Sequence, residues 1–148
     1  MNLLKNVKVD QILGYYAAGT TKETSDIIDM AGYDGVLFIA ELGTLIAAGT
    51  LDVFVEENSS NSTVGMARLA TTAVYTVTAA AALLAKNCIL VDIYKPLKEF
   101  LQCSITPAAQ QAVILGITAI RYRGKAKPEA MTTPYPLLAT ELIGPSEV

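Results

Sequence analysis

Histidine is absent from all 148 residues. Without an imidazole the chain lacks the side chain that moves protons near neutral pH, so neither a Ser-His-Asp nor a Cys-His site can be built from it. A zinc site is excluded on the same ground, because the two cysteines, Cys88 and Cys103, form no C-x-x-C pair. Each cysteine sits in an apolar, strand-like context, which reads as two reduced core thiols, with a bridge between neighbouring strands as the alternative. Tryptophan is also absent, and 3 Phe and 7 Tyr are too few, beside the basic residues, for a platform that stacks single-stranded nucleic acid. Charge is sparse at 17%, with 11 basic against 14 acidic residues and a net −3, which argues against nucleic acid as the main partner. No apolar run approaches the ~18 residues of a membrane helix. Lys5 and Lys8 interrupt the apolar start before a region of signal-peptide length forms, so export by that route is not expected. No Gly-Lys-Ser/Thr follows the glycines at 32 and 35, so nucleotide binding is rejected and no cofactor is expected.

What remains is an apolar chain of single-domain length, 52% hydrophobic with a mean hydropathy of +0.41. For a chain without membrane helices, that excess reads as surface buried against other subunits. The central stretch is DMAGYDGVLFIAELG, Asp29 to Gly43. Its Gly-Tyr-Asp-Gly, with glycines free to take positive φ and Asp34 and Gly35 setting the reversal, predicts a turn. Val36 to Ala40 then predicts a central strand covered on both faces.

Around it the pattern predicts about eight short strands at roughly ten-residue spacing. Residues 5–16 read as a first strand, alternating from Lys5 to Gln11 with Val7 inward and Lys8 and Asp10 outward or at the edge, and Thr24 to Met30 forms a second strand. Thr50 to Glu56 places its odd positions inward and Phe54 with Asp52 and Glu56 on the opposite face. Residues 57–63 make a polar exposed tip, Val64 to Thr71 a short helical turn, and Ala79 to Lys86 a helical turn or loop. Thr72 to Thr78, a buried Cys88 to Tyr94 stopped by Lys95-Pro96, Phe100 to Ile105, and Ala112 to Tyr122 with a bulge or close approach at Gly116 complete the set. The fold class is all-β, an antiparallel, jelly-roll-like sandwich or barrel over residues 1–124, followed by an extended proline-containing C-terminal arm over 125–148.

Candidate chemistry is thin. Glu56 and Glu57 read as solvated neighbours, Glu41 and Asp92 as outward-facing carboxylates or as partners in a salt bridge across a subunit contact. Arg121, Arg123, Lys125 and Lys127 recur every second residue. If the strand end stays extended, all four project from one side over about 20 Å, able to grip an acidic protein surface or phosphates. Beyond them Tyr135, Leu137, Leu138, Leu142 and Ile143 lie among prolines 128, 134, 136 and 145. That stretch is too apolar for a solvated tail and too broken for regular pairing, so it reads as an arm laid along a neighbouring subunit or another protein surface.

Four stretches carry a resemblance: Ala17-Ala18-Gly19-Thr20, DMAGYDGVLF from Asp29 to Phe38, LVDIYKP from Leu90 to Pro96, and Ile120-Arg121-Tyr122 with its basic continuation to Pro128. Across residues 17–128 the chain resembles small virion structural proteins of tailed bacteriophages, of the kind that act as head decoration (auxiliary or cement) proteins. Some family members carry a more basic segment after the Tyr-Lys/Arg-Pro motif, whereas here Leu97, Glu99 and Leu101 interleave with Lys98. The resemblance implies a non-enzymatic protein on the capsid surface of a virion, made in the bacterial cytoplasm. Its implied partners are the major capsid protein and further copies of itself, a trimer favoured, with no membrane or nucleic-acid partner. A tail or adhesion component of the virion and a carbohydrate-binding jelly-roll module, using Tyr15, Tyr16, Tyr33 and Tyr75, are the alternatives.

Overall fold

The computed structural model describes residues 3–69, 73–76 and 87–125. In chain order the strands are β1 (Val7–Leu13), β2 (Tyr16–Gly19), β3 (Glu23–Thr24), β4 (Ile28–Asp29), β5 (Gly35–Leu45) and β6 (Thr50–Asn58). They continue with β7 (Ala67–Arg68), β8 (Ala73–Thr76), β9 (Asn87–Tyr94), β10 (Phe100–Ala108) and β11 (Ala112–Tyr122). Two antiparallel sheets form a sandwich. The first runs β1-β11-β5-β9 with β2 also on β11, and the second runs β3-β10-β6-β7 with β4 on β10 and β8 on β6. No helix occurs among the described residues.

The core lies between the sheets because alternate residues of the long strands point there. Val36, Phe38, Ala40 and Leu42 of β5 and Ile117 and Ala119 of β11 face Leu51, Val53 and Val55 of β6 and Leu101, Cys103 and Ile105 of β10. Phe38 is completely buried, a position where truncation to alanine costs about 3–5 kcal/mol. β6 keeps the expected parity, and its even-numbered Phe54 pairs with Ser104 on the outer side. Pro107 sits inside β10 opposite Leu51. It is tolerated because the pairing of β10 with β3 ends at Ile105, leaving the side without an N–H unpaired.

Several expectations are corrected. β1 has the opposite phase: Val7 pairs with Tyr122 and Asp10 with Ala119, so Asp10 turns toward the sandwich interior, while Val7 is buried as expected but on the outer side of the sheet. A bulge between Gln11 and Leu13 then buries both Ile12 and Leu13, an irregularity that strict alternation cannot anticipate. β5 is covered on one face only, with Leu37 and Ile39 half-buried on the other. β9 is not a buried strand but alternates half-buried with exposed residues. Cys88 is accordingly exposed, while Cys103 is buried, and both thiols are free. Glu57 is buried rather than solvated, its Oε2 accepting the Lys98 N–H at 3.3 Å. In place of a helical turn after Val64 there is the two-residue strand β7. The polar tip holds only over residues 59–63, since Glu57 and Asn58 belong to β6 and are buried; it is organised by the Asn58 amide, which donates to the Ser62 and Val64 carbonyls at 2.9 Å each. The expectation for Ala79 to Lys86 and the arm from residue 126 lie outside the described residues.

Candidate interaction surface

One end of the sandwich gathers three of the stretches that carry the resemblance. Gly35 pairs with Tyr94 on one side and Tyr122 on the other, so the starts and ends of β5, β9 and β11 meet there. The turn before β5 is made as follows: Asp29 Oδ1 accepts the Ala31 N–H at 2.7 Å, Tyr33 N–H donates to the Met30 carbonyl at 2.9 Å, and Gly32 takes φ +86°. The cap is therefore Asp29, not Asp34, and the positive φ belongs to Gly32. Gly35 is already in β5, and what requires glycine there is the Tyr122 ring: an ideal Cβ would lie 2.3 Å from its Cζ.

Two non-glycine residues in the left-handed region, Lys95 (φ 52°) and Arg123 (φ 54°), turn β9 and β11 away at this end. Backbone bonds tie the turns together: Lys95 N–H to the Asp34 carbonyl at 2.7 Å, Asp34 N–H to Tyr122 at 3.3 Å, and Lys125 N–H to Gly32 at 2.9 Å. The turns enclose an open cavity of about 510 Å³ whose charged lining is Asp34, Lys95, Lys98, Glu99 and Lys125. Three lysines and two carboxylates share this lining, so it has no strong single-sign field.

The basic residues expected on one side are separated by the turn at Arg123. Arg121 points inward, 8% exposed. It pairs with Asp10 and donates to the Asp29 carbonyl at 2.6 Å, with Tyr33 beneath its guanidinium at 4.9 Å. These contacts make it a tie between the N-terminal strand and the Gly32 turn. Arg123 is exposed, 3.7 Å from Asp34 and over the Tyr94 ring, and Lys125 borders the cavity. Lys127, Tyr135, Leu137, Leu138, Leu142 and Ile143 lie outside the described residues.

The two outer faces of the sandwich differ in chemistry. On the second sheet Phe54 lies between Lys22 and Arg68, at 4.9 and 3.9 Å from the ring centroid. Lys22 pairs with Glu56 at 3.4 Å, and Arg68 pairs with Asp52 at 2.7 Å. Ser104 Oγ lies 3.2 Å from Thr24 Oγ1 and 3.3 Å from Glu56 Oε2. This face is closed by its own polar groups. On the first sheet the register aligns Val9, Ile120, Leu37 and Asp92 in one row and Thr118, Ile39 and Leu90 in the next. Leu90 is 57% exposed, and Cys88 lies beside it at register with Glu41. The carboxylate within this patch, Asp92, accepts the Tyr122 hydroxyl at 2.7 Å. Burial first, and then the Asp92 bond and charge, push Tyr122 up to about 12. A groove of about 440 Å³ opens here between Leu3, Val7, Leu37, Ile120 and Tyr122, with Arg123 at its rim.

Sequence reading missed this face because it took the apolar run of β5 as covered on both sides. The available signal was the same run, together with the apolar residues at both parities of β9. Among the described residues no group of three or more His, Cys, Asp or Glu is placed to hold a metal ion. No family model matches the chain, and no curated protein matches it.

Proposed function

We propose that this protein is a non-enzymatic structural subunit that self-associates and stabilises the exterior of a phage capsid, as a head decoration protein. The observation that carries the reading is the contrast between the faces: the second sheet closes its surface with paired charges, while the first, among the described residues, presents an apolar patch with Leu37, Ile39 and Ile120 half-buried and Leu90 exposed. An apolar patch bordered by polar residues is the usual mark of a surface that another protein covers. The resemblance to virion proteins supplies the partner class, the major capsid protein and further copies of this chain, with a trimer favoured by the local three-fold positions of a shell. Arg123, Lys125 and Lys127 border the way into the apolar segment that ends the chain and form, with it, the proposed contact region. A subunit that binds only the assembled shell shifts the equilibrium toward it by mass action, in proportion to affinity and copy number.

Two measurements test this. Light scattering at micromolar concentration is expected to return an oligomer, and co-sedimentation with shells lacking the protein is expected to deplete it from solution and raise the shells' thermal disruption temperature. A monomer that leaves shells unbound and unstabilised refutes the reading. A carbohydrate-binding module is the second reading, favoured by the exposure of the consecutive residues Tyr15 and Tyr16. Saturable binding on a glycan array, with no shell binding, would select it.

A further inference from the structure

We propose that the open face of the first sheet is the seat of residues 126–148 of a neighbouring copy, so that the copies are joined by exchanged C-terminal segments. This rests on the self-association in the reading above and names the surfaces that meet.

Area decides against two such faces simply stacking on each other. Four strands at ~4.8 Å spacing and about seven residues at ~3.3 Å give a patch of roughly 440 Å², well short of the ~800 Å² that each partner buries in a standard interface. A single extended segment fits such a patch. Residues 130–140, AMTTPYPLLAT, form an eleven-residue stretch without charge. In polyproline geometry, which Pro134-Tyr135-Pro136 favours, eleven residues span ~34 Å, enough to cross the sheet. The prolines remove the donors needed to add a strand at an edge, but side chains laid across a face do not need them. Chemistry matches as well: the patch offers Leu37, Ile39, Leu90, Ile120 and the Tyr122 ring, with its carboxylate already hydrogen-bonded to Tyr122. Aromatic-bordered grooves are what proline-rich segments dock into.

The exit of the chain favours a neighbour over the same copy. After Tyr122 the left-handed turn at Arg123 carries the chain over the end of the sandwich, where Lys125 bonds to Gly32 and borders the other cavity. The segment thus starts at the end of the sandwich, past Arg123 at the rim of the groove and on the side of the other cavity, and Pro128 follows three residues on.

Cys88 is a built-in reporter, exposed on this face, whereas Cys103 is buried. The experiment measures the rate at which an uncharged maleimide modifies Cys88 in the full-length protein, at micromolar and at nanomolar concentration, by mass spectrometry. Where about nine faces in ten are occupied, modification is expected to be about tenfold slower, since only the empty face reacts, and dilution is expected to restore the fast rate. Leu137→Asp with Leu138→Asp, and separately Leu90→Glu, should give the fast rate at both concentrations and lower the mass seen by light scattering. Val64→Glu, at an 83% exposed loop position off this face, should change neither. Circular dichroism melts establish that each variant is folded before it is compared. Protection that ignores dilution means a cover within one copy and overturns the exchange. Protection that survives the Leu137 and Leu138 substitutions means another occupant, and fast modification at every concentration means an empty face; either overturns the proposal. Failure to bind shells with concentration-dependent protection intact removes the decoration reading alone.

Discussion

Replacing Gly35 by alanine tests the close approach of β5 to the Tyr122 ring. The added Cβ would lie 2.3 Å from Cζ and 2.4 Å from the hydroxyl oxygen, while carbon atoms sit comfortably at ~3.5 Å or more. The ring must therefore retreat by about an ångström, and it cannot do so without disturbing its 2.7 Å bond to Asp92. Overpacking of this kind costs about 1–3 kcal/mol, and a partly exposed hydrogen bond adds about 1 kcal/mol. Alanine recovers roughly 0.5–1 kcal/mol over glycine within a strand. The expected net loss is about 1–3 kcal/mol, or roughly 2–12 °C in melting temperature for a chain of this size. Urea denaturation of a double-mutant cycle with Tyr122→Ala isolates the cause. In the Tyr122→Ala background the Gly35→Ala change should turn neutral or stabilising, a coupling of about 1–3 kcal/mol. Equal costs in both backgrounds would show that the ring is not the reason for glycine at this position.

The inter-element tie at Arg121 predicts that Asp10→Ala, which leaves a largely buried guanidinium with its bond to the Asp29 carbonyl alone, costs about 2–3 kcal/mol in urea unfolding. That is less than the ~3–5 of a fully buried pair, because Asp10 is 21% exposed; a loss within ~0.5 kcal/mol, as at neutral surface sites, contradicts the tie. For pH dependence, Cys103 is raised by burial from 9.0 to about 12 and Tyr122 from 10.0 to about 12. Both native pKa values lie above the unfolded ones, so the stability they contribute is complete below pH 9 and is lost as pH climbs toward 12. Thermal melts should fall across that window, and Tyr122→Phe should flatten the part above pH 10. In the native protein at pH 8 Cys103 should resist alkylation until denaturant is added; equal modification of both cysteines would place Cys103 outside the core.

What could be read from the chain depended on whether side-chain parity survives from one end of a strand to the other. β6 pairs with β10 without interruption from Thr50 to Asn58, so counting from Leu51 placed Val53 and Val55 inside and Phe54 outside correctly. In β1 the count started from Val7, an apolar residue that is buried but on the outer side beside Tyr122, which is how Asp10 came to be expected outside, and the bulge further on breaks the alternation at Ile12 and Leu13. The turn at 32–35 was legible as glycine chemistry. That Gly35 answers to a ring 87 positions later was not, because a close approach is a tertiary fact without a local signature. The basic series at Arg121, Arg123 and Lys125 was visible, but its one-sided projection assumed an extended chain through Arg123, where φ is +54°. Glu57 was misplaced for a related reason: its partner is a backbone N–H at Lys98, brought near only by the pairing of β6 and β10.

The strand order also governs when this protein can fold during its synthesis. Both sheets are centred on strands from the end of the domain: β11 separates β1 from β5, and β10 separates β3 and β4 from β6. Among the described residues, β5 has only β9, and β6 has only β7 and β8, to pair with before Phe100 leaves the ribosome. At ~5–20 residues per second, β5 waits roughly 4–15 s from Gly35 to Ala112, and β6 waits roughly 2.5–10 s from Thr50 to Phe100. For that time the apolar inner faces of β5 and β6 wait for the neighbours that will complete their sheets, and the nascent chain is exposed to association with others on the same message.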